Sequence, residues 1–220
     1  MNVQHGQDGL LSPDSVLHRA SERLAQHFTG LVGEETVERV VFESYAALAR
    51  TATVTSLLPP LAEKFARDRL VALAQSRGQV AKTVPEILYV CVQNSGRSQM
   101  AAAITRQLAG DRVHVRSAGS QPAAELLPEV VAVLEEAGID LSDEFPKPLT
   151  DDVVRAADAV VTMGCGDACP LYPGKRYLDW KLTDPAGLDL DGVRAVRDEI
   201  QAHVEQLLAE LLPPSKAIPS

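Results

Sequence analysis

With 220 residues, 45 % of them hydrophobic but only 4 % aromatic, the chain can bury one large core or two small ones, packed mainly from Ala, Val and Leu. A formal charge of −9 argues against a general nucleic-acid or anionic-membrane surface, although it leaves room for a small local anion site. No apolar run approaches the roughly 20 residues of a membrane span, and the opening MNVQHGQDGLL has neither the basic nor the apolar segment of an export signal, so we expect a cytoplasmic protein.

The first third reads as helices. Ser12 is a natural N-cap with Pro13 at the first helical position, Gly30 stops the helix, and Val16, Leu17, Ala20, Leu24 and Phe28 form one apolar stripe. GEETVERVVFESYAALAR follows, with Val37, Val40, Val41, Tyr45 and Leu48 on one face. After the breaker SLLPP, a third helix turns Leu61, Phe65, Leu70 and Leu73 inward and closes at Gly78. Short connections between three such helices imply a small bundle over residues 1–80, with SRGQVAKTVP (76–85) as linker.

Residues 83–213 follow another pattern. EILYV is continuously apolar, as a strand buried on both faces must be. RVHVRSAG alternates, as a strand nearer an edge does, DAVVTM (158–163) is again buried, and KRYLDW (175–180) is a weaker fourth candidate. Helical spacing separates them: Met100, Ile104 and Leu108, then AAELLPEVVAVLEEAG (123–138), and last a helix from Val193 to Leu211 that Pro213 and Pro214 end. Strands alternating with helices predict an α/β fold, a four-stranded parallel sheet with helices on both faces.

In such a sheet ligands bind beyond the carboxyl ends of the strands. Cys91 stands at one of those ends, and a helix opens near Arg97 or Ser98. The residues between, Val92, Gln93, Asn94, Ser95 and Gly96, can curl so that successive N–H groups face inward and, with the helix N-terminus, bind an oxyanion of phosphate size. The same field favours the thiolate of Cys91. Arg97 offers a planar fork for two anion oxygens, Ser98 a hydroxyl for the thiolate, and Asn94 suits a left-handed backbone position. A Cys-x5-Arg spacing alone is weak; the buried strand before it and the amphipathic helix after it raise its specificity. The plain alternative is a core cysteine at a strand end. For three cysteines, Cys91, Cys165 and Cys169, composition balances thiol chemistry in a reducing compartment against small buried hydrophobes.

CVQNSGRSQMA, RSAGS, VVTMG and DPAG, in that order, resemble the low-molecular-weight tyrosine phosphatases, and within them the thioredoxin-coupled arsenate reductases, over about residues 85–212. A phosphatase loop of this family reads Ile-Cys-Arg-Ser-Pro where this chain has Ser-Gly-Arg-Ser-Gln-Met-Ala. The resemblance implies that residues 83–213 are a phosphatase-like arsenate reductase domain whose substrate is arsenate or a phosphate-like oxyanion, held by Val92 to Ser98. It makes Cys91 the nucleophile, Arg97 the anion clamp and Asp184 of DPAG the acid. It also makes Cys165 and Cys169 the thiols that carry two electrons away by a redox-active disulfide. It implies no bound cofactor, only an external thiol reductant, thioredoxin or a low-molecular-weight thiol such as mycothiol or glutathione. The runner-up is a phosphatase-type phosphomonoesterase, because the same loop serves phosphoryl transfer; a non-enzymatic oxyanion sensor is the third reading. Ala102 stands where some relatives place a glutamate that binds potassium beside the loop, and Cys-x3-Cys has no second ligand pair or nearby His for zinc, so no metal is expected.

The helical segment invites a DNA-binding reading. Its charges oppose it: residues 1–82 hold nine Lys and Arg against nine Asp and Glu, with no basic recognition helix. A docking or homodimerisation element is the expectation there.

Overall fold

The computed structural model describes residues 12–164, 166 and 169–212. The chain divides into two compact units, residues 1–71 and 72–220. In the first, α1 (Pro13–His27), α2 (Glu34–Ala49) and the greater part of α3 (Leu58–Ser76) bury most of the predicted stripes, Val16, Tyr45 and Leu61 being half-buried. Ser12 caps α1 by accepting the Ser15 N–H at 3.3 Å. Leu17, Leu24 and Phe28 of α1, Val37 and Val41 of α2, and Phe65 and Leu70 of α3 are all buried. Arg69 is buried with them, and its guanidinium is answered by Glu43 at 3.0 Å and by the Ser44 hydroxyl at 3.2 Å.

The second unit is an α/β layer structure. β1 (Glu86–Cys91), β2 (His114–Gly119), β3 (Ala159–Met163) and β4 (Arg176–Asp179) form one sheet in the order β2-β1-β3-β4, parallel throughout. Every residue of β1 is buried, which is why its sequence is apolar without alternation. Ile87, Tyr89 and Cys91 meet α4 (Arg97–Ala109) at Met100 and Ile104, α5 (Pro128–Glu136) at Val133, and α7 (Leu190–Leu211) at Val196 and Ile200. Leu88, Val90, Ala118 and Val160 pack on the other face against Val153 and Val154 of α6 (Asp151–Ala156) and against Ala72. From β1 the chain goes to β2 on one side and then crosses to β3 on the other. The order therefore reverses at the carboxyl end of β1, the crevice where such sheets take ligands. Cys91 lies there, opposite Gly119 and Met163 in register.

Two elements differ from expectation. The helix predicted over 123–138 starts only at Pro128. Leu127 is extended (φ −68°, ψ 124°), as a residue before proline tends to be, and the stretch ahead of it bonds elsewhere. The short α6, too brief for a clear period, was not foreseen. β2 is at the sheet edge, as its alternation predicts.

A buried charge pair joins β1 to β2: the Arg116 guanidinium bonds the Glu86 carboxylate, which His114 also faces at 3.7 Å. Both residues of the pair are under 10 % exposed. Burial alone would raise the Glu86 carboxyl, but the His114 hydrogen bond and the Arg116 charge outweigh it and hold the group below its ordinary 4.5. A depressed folded-state value contributes stability above pH 4.5 and loses it as pH falls through the folded value. Glu86→Ala, which strands the Arg116 charge, is therefore expected to cost about 3 kcal/mol at pH 7. Its urea midpoint should also fall less between pH 6 and pH 4 than that of the parent, as read by denaturation at both values.

Candidate active site

The loop from Cys91 to Gly96 owes its shape to where its carbonyls go. Ser120 N–H donates to Cys91 O at 3.1 Å, Gln121 N–H to Val92 O at 2.8 Å, Ala123 N–H to Gln93 O at 2.9 Å and Leu127 N–H to Ser95 O at 3.0 Å. The Gln99 side-chain amide takes Asn94 O at 3.1 Å, and Met100 N–H, in the first turn of α4, takes Gly96 O at 2.9 Å. Every carbonyl of the loop is thus engaged, and its peptide hydrogens are left for the concave side. Gly119 permits this approach: a Cβ there would lie 2.7 Å from Val92 O and 2.9 Å from Asn94 N.

Asn94 is the pivot. It holds φ at 49°, the left-handed conformation expected of it. Its backbone N–H points at Cys91 Sγ, 3.2 Å away, and its Nδ2 donates to Ser98 Oγ at 2.8 Å. Its Oδ1 accepts the Lys147 N–H at 2.8 Å and Gln99 Nε2 at 3.1 Å. The Ser98 hydroxyl, which accepts from the Asn94 amide, lies 3.0 Å from Cys91 Sγ and can donate its proton to the sulfur when that is a thiolate. The Asn94 N–H and the Ser98 hydroxyl thus both meet the one sulfur. The sulfur belongs to a residue only 2 % exposed.

Arg97, 8 % exposed, opens α4 and carries the positive charge of the site. Its Nη2 pairs with Asp184 Oδ2 at 2.7 Å, and its Nη1 reaches Leu182 O at 3.4 Å. Asp184 Oδ1 accepts Ala186 N–H at 3.1 Å, so the carboxylate is fixed in its own tight turn. That turn is anchored behind by Trp180, whose N–H bonds Thr162 O and whose ring stacks on His203 at 4.9 Å. On the guanidinium's remaining side is Gly164, the residue after β3. It holds φ at +76°, and a Cβ there would come within 3.1 Å of Arg97 Nη1. Both facts call for glycine.

Of the predicted site residues, then, Cys91, the loop from Val92 to Gly96, Arg97, Ser98 and Asp184 converge at one sheet edge. Cys169 is elsewhere in the layering. It is 8 % exposed and packs with Leu88, Val90 and Val160, on the face of the sheet opposite to Cys91. Its Sγ faces Pro170 O at 3.9 Å. Tyr177 OH accepts Tyr172 N–H at 2.8 Å and donates to Pro170 O at 3.1 Å. Burial first, then the nearby Cys169 sulfur, raise the Tyr177 phenol above its ordinary value. An open cavity of about 460 Å³, lined by Cys169, Pro170, Leu171 and Tyr177, leads to this thiol. Cys165 lies outside the described residues; Met163, two positions before it, is opposite Cys91, and Gly164 touches Arg97.

Two contributions were not legible in advance. Gln99 lies on a helix whose Ala-rich run hides its burial, and its Nε2 also reaches Phe145 O at 3.1 Å. The part of the stretch 120–127 from Ala123 on read as helix; the only hint against it was Pro122, which has no N–H to donate to the loop. Among the described residues no group of three or more His, Cys, Asp and Glu is disposed to hold a metal ion, and no helix is long and apolar enough to cross a membrane.

Comparison with known proteins places this geometry. Residues 86–216 match the model of the low molecular weight phosphotyrosine protein phosphatase family, and residues 17–74 match a protein-tyrosine-phosphatase-like N-terminal domain. A solved Corynebacterium glutamicum thioredoxin-dependent arsenate reductase is 49 % identical and superposes with a TM-score of 0.81, covering 90 % of this chain and 96 % of its own. A putative arsenate reductase of Halobacterium salinarum is 38 % identical over 130 residues, 57 % of this chain and 92 % of that protein. A solved arsenate reductase in a phosphate-binding state is 32 % identical with a TM-score of 0.53, covering 59 % of this chain and all of the other. The cysteine loop, its arginine and the sheet that carries them are therefore those of a member of the low molecular weight phosphotyrosine protein phosphatase family, in its arsenate reductase branch.

Proposed function

We propose that the chain reduces arsenate to arsenite in the cytoplasm, with residues 83–213 as the catalytic domain and residues 1–80 as a helical accessory unit that docks or dimerises. The observation that carries this reading is the meeting of Cys91, Arg97 and Asp184 beside Gly164, the residue directly ahead of the Cys165–Cys169 pair. A hydrolase has no use for the two further cysteines that the sequence sets directly after Gly164.

The steps balance as follows. Arsenate enters the loop, its oxygens on the inward N–H groups and on Arg97. Cys91 thiolate attacks arsenic(V) as Asp184, which takes up a proton from solvent once it has left Arg97, passes that proton to a departing hydroxyl, which leaves as water. Cys165 thiolate then attacks the Cys91 sulfur; the S–As bond breaks, its electron pair stays on arsenic, and arsenite leaves. Cys169 thiolate attacks Cys165, releasing Cys91 and closing a Cys165–Cys169 disulfide. An external dithiol returns two electrons. A thioredoxin-type protein is the proposed donor, in keeping with the C. glutamicum relative, and the cavity at Cys169 offers it a way in.

Arsenate-dependent oxidation of a thioredoxin system is expected to vanish in Cys91→Ser and in Cys165→Ser. Cys169→Ser should halt after one turnover with a Cys91–Cys165 disulfide, found by mass mapping of the trapped peptide pair. The competing reading, a phosphomonoesterase using the same loop, is upheld instead if aryl phosphate is turned over rapidly and Cys165→Ser leaves that rate unchanged while no arsenite forms. Glutathione or mycothiol replacing thioredoxin at equal rate would reassign the donor.

Ser98→Ala removes the hydroxyl directed at the Cys91 sulfur. Its alkylation by iodoacetamide at pH 7 should slow about tenfold, by loss of a charge-assisted hydrogen bond. Asp184→Asn should lower kcat by about 10²-fold, the usual reach of a general acid.

A further inference from the structure

The loop position before Arg97 is Gly96, and it is filled from outside. A Cβ on Gly96 would lie 2.7 Å from Pro185 Cγ and 3.3 Å from Leu127 Cδ1. The first separation is shorter than a methyl group tolerates, so any side chain here must push the Pro185 ring away. Pro185 follows Asp184 directly, and the two share one turn closed by the Ala186 N–H on Asp184 Oδ1 and the Leu188 N–H on Pro185 O. What moves Pro185 moves the carboxylate with it.

That carboxylate occupies the guanidinium. Arg97 Nη2 is on Asp184 and Nη1 on Leu182 O, so residues 182–184 hold both terminal nitrogens. The Asp184 side chain is 55 % exposed and the Arg97 side chain 10 %, so the aspartate has somewhere to go and the arginine does not. A tetrahedral dianion seeking a two-pronged grip has to take Arg97 from Asp184.

We propose that Gly96 is a positioning residue: by admitting Pro185 it lets Asp184 hold Arg97 in the anion-free site, as an internal carboxylate that the incoming oxyanion must displace. The exchange leaves Asp184 beside the anion it has made way for, where a proton donor is needed. It also sets a threshold. A doubly charged tetrahedral ion competes for the guanidinium more strongly than a singly charged one, by Coulomb attraction. This rests on the reductase reading only for which anion is turned over, since the exchange is read with inorganic phosphate and needs no arsenate.

The test is a double-mutant cycle on the full chain, with phosphate affinity measured by calorimetry. Asp184→Asn removes the competing charge and should tighten phosphate about two- to fivefold, the range of a partly exposed ion pair. Gly96→Ala should tighten it in the same direction and lower KM and kcat for arsenate together, the competitor and the acid having moved as one. In the Asp184→Asn background Gly96→Ala should change phosphate affinity by no more than the error of the measurement. A general distortion of the loop predicts otherwise: weaker phosphate in both backgrounds, and that result, or an unchanged affinity in Gly96→Ala, overturns the proposal. Should Gly96→Ala fail to fold, Pro185→Ala reads the same contact from the other side; it is expected to tighten phosphate, and no change there is equally fatal. A protein that shows the cycle with phosphate yet forms no arsenite refutes the reductase reading and leaves this one standing.

Discussion

Everything the site does depends on carbonyl groups facing away from it. A six-residue loop carries as many peptide acceptors as donors, and a concave surface lined with both would attract no anion. Here the acceptors from Cys91 to Gly96 are bound by Ser120, Gln121, Ala123, Leu127, Gln99 and Met100. Four of those six partners come from one stretch after β2, residues 120–127. The outer side of the loop is thus bonded to a neighbouring segment, which frees its inner side for an anion. Helix α4 adds the field of its N-terminus and the charge of Arg97.

This division of labour explains what the sequence disclosed. Cys91, Asn94, Arg97 and Ser98 act through their side chains within eight residues of each other, and residue types at close spacing are what a sequence displays. β1 and β3 were equally plain, because a strand sealed on both faces has no polar alternative. The stretch 120–127 holds the loop carbonyls through backbone N–H groups, which every residue but proline has, so its composition was free to imitate a helix from residue 123 and did. Gln99 was hidden by its neighbours: on an Ala-rich helix a polar residue marks the solvent side by default, and here it points into the core toward Asn94 and Phe145. Gly96 was read only as one of the curling loop residues; that the ring of Pro185 stands where its side chain would be was not visible in the sequence. Contacts between residues some 90 positions apart carry no periodicity.

The acid-bearing turn is held from three directions. Trp180, wedged between Tyr89 and His203, fixes where the turn begins; Leu182 and Asp184 fasten it to Arg97; Pro185 seats it on Gly96. Gly164 closes the remaining side of the guanidinium, so the chain leaving β3 and the chain leaving β4 are both gauged against one arginine. A single guanidinium is therefore in contact with both the Asp184 turn and the first residue after β3.

The two thiols that can be located belong to different layers, Cys91 under α4 and α7 and Cys169 against α6, with the sheet itself between their packing environments. A parallel sheet is a good insulator in this sense. An oxidant meeting the resting protein therefore finds Cys91 and Cys169 on opposite faces, and a bond between those two is opposed by the same hydrophobic residues that make the fold stable.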